Sequence, residues 1–423
     1  MTGGDAFRID RRRLLAGAAS TLVLPKAARA APSKVGASPL RLRRGVNLWP
    51  WFSLTTEYPA PRTDYAWPPL QSDRALPSRE DLTLLSGVGF DFVRIPVDPG
   101  PMLAFSGQRR AALLQDLSRA IAACRDAGLN VVVNLQANAA THYWRPERMF
   151  TSRNSPEFSA YLELVGDLAA ILDRNPPATV AIEPVNEPFH ACGSRDWTRV
   201  QAAMLKASRK VAPDLTYVAT SACGSIVPSF ADFDAASVAD GGPMLFTFHF
   251  YEPYLFTHQG ATWMSEPVYR WLNAVPWPGS AGSLEATLAA VEARMAADPE
   301  TPAATKQAAM QETRSVLATY FEAQPDRAYI QGFFDTMLQW ADRNGLSPDS
   351  ILMGEFGALR SGGNYVAAAA ADQARYVRDV RLTAEVSGFG WAFWNLFDGF
   401  GLMDDVSHRL DDSLLDALGL LRL

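Results

Sequence analysis

Cysteine and histidine are both scarce in this chain, which excludes most of the chemistry that depends on them. Three cysteines (Cys124, Cys192, Cys223) and five histidines (His142, His190, His249, His258, His408) stand in 423 residues, with no paired metal-ligand spacing among them. Zinc sites take three or four such ligands, commonly in short-range pairs, so no metal is expected. An odd cysteine count leaves at least one thiol unpaired within a single chain; free, mostly buried cysteines, or at most one bridge, are expected. Also missing are a glycine-rich phosphate turn after the first strand, a serine nucleophile elbow and a haem-attachment motif. No cofactor is expected.

Basic residues are the minority, 39 Lys and Arg against 45 Asp and Glu. The imbalance steepens beyond the N-terminus. Asp10-Arg11-Arg12-Arg13-Leu14-Leu15 precedes a modest apolar stretch, Ala16 to Leu24, and then Ala28-Arg29-Ala30, the small-x-small form of a signal peptidase site. Residues 1–30 are therefore expected to be a twin-arginine export signal, with a basic tail as the plain alternative. Its apolar stretch is too short to span a bilayer, where about 20 residues are needed. A periplasmic or secreted protein follows. Six Lys/Arg and two Asp/Glu fall in that segment, leaving 33 against 43 and a net charge of −10. Such a chain repels nucleic acid and anionic membrane surfaces, so neither is an expected partner.

Residues 31–423 contain no Ser/Gly/Pro linker, charge block or short repeat, and a single monomeric domain is the economical expectation. Apolar, β-rich segments occur at Gly45 to Leu48, Phe90 to Ile95, Asn130 to Leu135, Val180 to Val185, Leu215 to Ala219, Leu245 to Phe250, Ile351 to Met353 and Gly390 to Trp394. Helical patterns lie between them, as at Arg109 to Ala127 and Ser155 to Leu172. Eight alternating units predict an α/β fold, a closed (β/α)8 TIM barrel; an open doubly wound sheet has the same periodicity. The interval from Tyr251 to Ile351 is longer than one unit needs. Of its helical patterns, about Ser283 to Ala297, Ala304 to Glu322 and Asp326 to Arg343, the last is assigned to the barrel and the others predict a helical insertion after strand 6, over about residues 254–325.

Two tracts carry the chemistry. In Ile182-Glu183-Pro184-Val185-Asn186-Glu187-Pro188 and in Met353-Gly354-Glu355-Phe356-Gly357, a glutamate sits at or just past the end of an apolar strand. Cleaving a glycosidic bond takes one carboxylic acid to protonate the departing oxygen and one carboxylate to meet the charge at the anomeric carbon. Glu187 and Glu355 are the candidates. Ordinary surface glutamates are the plain alternative.

Asn186-Glu187-Pro188 at the fourth strand, His249-Phe250-Tyr251 at the sixth, Glu355 at the seventh, Trp394 at the eighth and Arg94 at the second form an ordered set. It resembles glycoside hydrolase family 5, the cellulase family of the retaining (β/α)8 superfamily. That resemblance implies Glu187 as acid/base and Glu355 as nucleophile, with carboxyl groups about 5 to 5.5 Å apart. It further implies that Arg94 and Tyr251 keep Glu355 ionised, that partial desolvation and the charge of Glu355 keep Glu187 protonated, and that Asn186 binds the sugar 2-hydroxyl. Asn186 also suits a turn. Arg94 suits equally an ion pair with Glu183, and the two roles are compatible. His249 and Tyr251 share one strand face.

Where relatives carry Asp-x-His at the end of the third strand, this chain has Asn134-Leu135-Gln136, so Gln136 stands at the histidine position. Gln136 can bond a sugar hydroxyl but cannot titrate; His142 is expected to reach back from the next loop in its place. Sugar faces stack on flat aromatic surfaces. Trp394 is the platform that the resemblance implies, and Trp49, Trp51, Trp144 and Trp263 are further candidates to line the groove.

The expectation is a retaining glycoside hydrolase acting on a polysaccharide or oligosaccharide, at internal β-1,4 bonds of a β-glucan. The alternatives are β-mannan, β-1,3-glucan or an exopolysaccharide, and, in another class, a non-catalytic carbohydrate-binding barrel. No appended binding module is evident, which points to soluble or newly made chains over compact fibres.

Overall fold

The computed structural model describes residues 35–138 and 140–421, so the expected export signal lies outside the described residues. Eight parallel strands form the centre: β1 (Arg44–Asn47), β2 (Phe92–Val97), β3 (Asn130–Leu135), β4 (Val180–Glu183), β5 (Thr216–Thr220), β6 (Pro243–Phe250), β7 (Ile351–Phe356) and β8 (Gly390–Phe393). Each pairs with the next and β8 pairs with β1, which closes the sheet into a barrel. The open-sheet alternative is thereby removed.

Around the barrel run α1 (Arg79–Val88), α2 (Gly107–Asp126), α3 (Pro156–Leu172), α4 (Arg195–Val211), α5 (Leu284–Ala296), α6 (Ala303–Ala323), α7 (Arg327–Arg343), α8 (Ala370–Ser387) and α9 (Asp412–Leu418). Local chemistry sets their starts. Ser155 caps α3 by accepting from the Phe158 amide, with Pro156 in the first turn, and Asp326 caps α7 through the amides of Ala328 and Tyr329. After β6, residues 254–325 hold two short helices, Tyr254–Thr257 and Pro267–Trp271, followed by α5 and α6. One departure from the repeat is clear. β5 is followed by three 3-10 turns, Cys223–Ser225, Val227–Phe230 and Ala235–Ser237, and by no α-helix before β6.

Two strand readings change for a local reason. β4 ends at Glu183, because Pro184 has no amide to continue the ladder. A two-stranded antiparallel hairpin, Thr55–Glu57 with Tyr65–Leu70, was not expected, since its second strand carries two prolines that argue against a ladder.

Strand period two stacks the barrel interior into layers. Phe92, Val132, Ala181, Val218, Leu245, Leu352 and Ala392 form an apolar plug with Leu40 and Leu42. β1 makes room for it with Gly45, where a Cβ would stand 2.2 Å from the Phe92 ring. Two residues further along their strands come Arg94, Asn134, Glu183, Thr220 and Thr247, all buried and all polar. The site is built on this second layer. Outside the barrel, Trp340 of α7 is fully buried against Phe230, Phe233 and Phe246, and its indole donates to the Phe233 carbonyl at 2.7 Å. Trp340→Ala is expected to cost about 3–5 kcal/mol, the range for emptying a large buried aromatic site. Urea unfolding would measure it, and a loss under 1 kcal/mol would show that this contact does little for the barrel.

Candidate active site

Arg94 projects from β2 into the polar layer and is fully buried. Its Nε and Nη2 donate to the two oxygens of Glu183, each at 2.8 Å, a bidentate pair across β3. Nη1 donates to Glu355 Oε1 at 2.7 Å and to Asn47 Oδ1 at 2.8 Å. Nη2 also donates to Asn186 Oδ1 at 2.8 Å. The ion pair with Glu183 and the contact with Glu355 therefore coexist. Because arginine only donates, it fixes the carbonyl end of Asn186 inward and leaves the amide NH2 toward the cleft.

Glu355 reaches this layer through a bulge in β7. Met353 opposes Phe248 and Glu355 opposes His249, so Gly354 is one residue too many for the ladder. A side chain at 354 would place its Cβ 2.4 Å from Thr247 Oγ1. The extra residue turns the next side chain, Glu355, into the barrel. There Oε2 accepts from the Tyr251 hydroxyl at 2.9 Å. The donors expected around Glu355 are in place, yet its carboxyl lies above the ordinary 4.5, raised by burial and by Glu187 against the pull of His249 and Arg94. One guanidinium shared between two carboxylates leaves a negative charge to balance.

Glu187 lies four residues beyond the end of β4, in the left-handed region at φ +36°. For a residue with a side chain such a conformation costs about 1–3 kcal/mol and persists where neighbours over-determine it. Its side chain is 41 % exposed, more open than the partial desolvation expected. His249 Nδ1 lies 2.8 Å from Glu187 Oε1 and 3.5 Å from Glu355 Oε2, bridging the two. One oxygen of Glu187, one of Glu355 and one His249 nitrogen all fall within 4.8 Å of one another. Those three donors are close enough to hold a cation, but Arg94 already sets a positive charge against Glu355.

The cleft above these groups measures about 500 Å³ and is lined by Trp49, Gln136, Asn186 and Glu187 among others. Trp394 is half-buried, its ring 6.2 Å from that of Trp49; its peptide bond to Asn395 is cis. Trp263 is 53 % exposed, meets Tyr365 edge-on and is not among the residues lining this cleft.

Three further expected positions fall elsewhere. His142 does not reach the cleft: its Nδ1 lies 2.9 Å from Glu57 and its Nε2 2.6 Å from the Arg62 carbonyl, so both nitrogens are held by the hairpin. Trp51 lines a separate cavity of about 370 Å³ with Phe52, Arg74 and Arg119. Trp144 packs on the core beside Tyr143 and is not among the residues lining the cleft.

Sequence reading missed Asn47, Asp98, Asn138, Phe189 and Tyr254. Asp98 directly follows β2, the same strand-end signal that marks Glu187, and burial pushes its carboxyl up to about 6 against bonds from Thr55 and Gly100. Asn47 had no such signal; it matters because register places it opposite Arg94.

A closed parallel barrel with two carboxylates converging at its strand ends, one of them seated on a buried arginine, is the arrangement that two-carboxylate glycosidases use. The chain belongs to glycosyl hydrolase family 5, the cellulase family, whose profile matches residues 61–399. Cellodextrinase A of Ruminococcus flavefaciens is 24 % identical over 223 residues, 52 % of this chain and 61 % of that protein, so the match spans less than two thirds of it. Endoglucanase C of Acetivibrio thermocellus is 23 % identical over 247 residues, 57 % of this chain and 67 % of that protein. In shape the chain is similar to an endoglucanase of Thermotoga maritima solved with cellobiose, with a TM-score of 0.62, 20 % identity, and 89 % and 97 % of the two chains covered. The structure of the same protein with mannotriose gives 0.62 and 21 %, with the same coverage.

Charge balance gives this site a pH signature. Burial opposes protonation of His249, but Glu355 and Glu187 outweigh it and raise its pKa above 6.5. A raised histidine contributes stability that is full below the unfolded value and lost as pH rises through the folded one. Glu355 acts in the same direction, since folding there also favours the protonated form. Wild-type stability is expected to fall relative to His249→Gln as pH rises above the ordinary histidine value of about 6.5. Urea unfolding on both sides of that value checks it; a constant difference would contradict the proposed charge balance.

Proposed function

We propose that this protein is an exported, monomeric, retaining enzyme that cleaves internal β-1,4 bonds of a β-glucan by double displacement. The observation that carries the reading is the approach of one Glu187 carboxyl oxygen to one of Glu355 within 4.8 Å. Retaining enzymes hold their carboxyl groups about 5–5.5 Å apart, and inverting ones about 6.5–9.5 Å apart to admit a water.

Glu355 attacks the anomeric carbon as Glu187 gives its proton to the departing oxygen, which leaves a covalent glycosyl ester. Water then attacks the same carbon. Glu187 takes the water proton, and Glu355 leaves as carboxylate. Esterification removes the negative charge beside Glu187, which favours its acting as base in the second step. Glu187 is exposed in the open cleft, so its desolvation comes from the sugar that fills the cleft. The Asn186 NH2, turned outward by Arg94, suits the 2-hydroxyl, whose bonds strengthen as the oxocarbenium-like state forms. Trp394 and Trp49 offer flat faces beside the reacting centre, and Gln136 a neutral amide.

The names of the relatives, a cellodextrinase and endoglucanases, support a β-glucan. A second reading keeps the mechanism and exchanges the polymer for β-mannan. It is favoured by the Gln136 departure and by the mannotriose complex of the Thermotoga protein.

Proton NMR of the first product is expected to show the β-anomer, and an initial α-anomer would overturn the retaining assignment. Glu187→Gln is expected to lower kcat/KM on unactivated β-glycosides by about 10²–10⁴-fold, the range that general acid catalysis supplies. Glu355→Ala is expected to be inactive and to recover turnover with azide; undiminished activity would refute its role. On defined oligosaccharides, cleavage of cellotetraose in preference to mannotetraose is expected, and the reverse selects the second reading.

A further inference from the structure

Cys192, in the loop that follows Glu187, is disulfide-bonded to Cys223, in the turn after β5. Two backbone bonds run beside it: the Cys223 amide donates to the His190 carbonyl at 2.8 Å, and the Gly224 amide to the Pro188 carbonyl at 2.9 Å. Pro188 is the residue next to Glu187. On its other side the turn pairs with β6, Ile226 against His249, and His249 is the residue bonded to Glu187.

The turn itself is costly. Cys223, Gly224 and Ser225 have φ of 61°, 69° and 59°, three left-handed residues in succession of which two carry side chains. Each of those two brings its Cβ close to the following carbonyl oxygen, and such a conformation persists where its surroundings over-determine it. Glu187 is left-handed as well. The strained turn and the strained acid/base are thus held against each other.

We propose that the Cys192–Cys223 disulfide is a positioning element for the general acid, holding the turn so that Pro188 and His249 together aim the Glu187 carboxyl at the departing oxygen. This rests on the role given to Glu187 above. Cys124, the third cysteine, is fully buried and its thiol is pushed up to about 12 by burial, so a mild reductant has one target. A dithiol reductant supplies the two electrons and two protons: the S–S bond opens to two thiols as the reductant closes to its own cyclic disulfide.

The test uses two aryl β-cellobiosides. A 2,4-dinitrophenolate leaves without a proton, whereas phenol needs one from the acid. kcat/KM, which reports the first bond cleavage, is compared for the oxidised protein, the reduced protein and Cys192→Ser. Loss of about tenfold or more on the phenyl substrate, a part of what general acid catalysis supplies, is expected, with less than about twofold change on the dinitrophenyl one. Reoxidation of the reduced protein is expected to restore the phenyl rate. Equal loss on both substrates, or no loss, overturns the proposal, because general loosening does not discriminate between leaving groups. Reduced protein that unfolds, by far-UV circular dichroism, counts as equal loss. Failure of the underlying reading looks different: the oxidised protein then cleaves neither substrate, or Glu187→Gln shows no dependence on the leaving group.

Discussion

The site depends on one buried guanidinium that serves two carboxylates. Arg94 is bidentate to Glu183 and bonded to Glu355, Asn47 and Asn186, with no access to water. Taking such charges out of water costs several kcal/mol per ion even after relaxation, and the cost is recovered only with near-complete bonding. The three charges sum to −1, so Arg94 alone cannot neutralise its neighbours. Burial and the charge of Glu187 raise the Glu355 carboxyl, and the charges of Glu355 and Glu187 raise His249 against its own burial, so the folded site favours a proton at both. The charge state of Glu355 and the fit of the polar layer are therefore one electrostatic problem, and Glu183, which is not among the residues lining the cleft, is a member of it.

This layer rests on another of opposite character. Below it the barrel is filled by Phe92, Val132, Leu245 and their apolar neighbours. Apolar layers tolerate exchange as long as volume is kept, whereas a polar layer in which each residue completes another's bonds does not. That contrast accounts for a fold held in common with proteins about 20 % identical to this chain.

Much of the barrel was legible because buried parallel strands are nearly continuous apolar runs, and each of the eight segments overlaps its strand. Glu187 and Glu355 were legible because an acidic residue at the end of such a run is conspicuous. What was not legible arises from register and tertiary closure. Nothing in Met353-Gly354-Glu355 announces a bulge; it follows from what Gly354 meets on β6. Asn47 matters only through its place opposite Arg94. His142 looked available for the cleft because the hairpin that holds it was concealed by Pro68 and Pro69 in its second strand. Trp51, two residues from Trp49, lines the other cavity because the segment after β1 turns, with the Trp51 amide donating to the Leu48 carbonyl and the Ser53 amide to the Pro50 carbonyl. The partners among three cysteines could not be chosen from spacing alone, and the left-handed turn that joins Cys192 to Cys223 has a single glycine to mark it.

The segment after β1 lines two cavities. Trp49, Ser53 and Leu54 face the cleft, while Trp51 and Phe52 face the cavity behind it. Its backbone is pinned where the Asp98 amide donates to the Phe52 carbonyl at 2.9 Å. Side chains on the far face therefore set the thickness of this wall without setting its course. Truncation at Trp51 or Phe52 enlarges the cavity behind the wall and leaves the cleft, with Glu187 and its neighbours, where it stands.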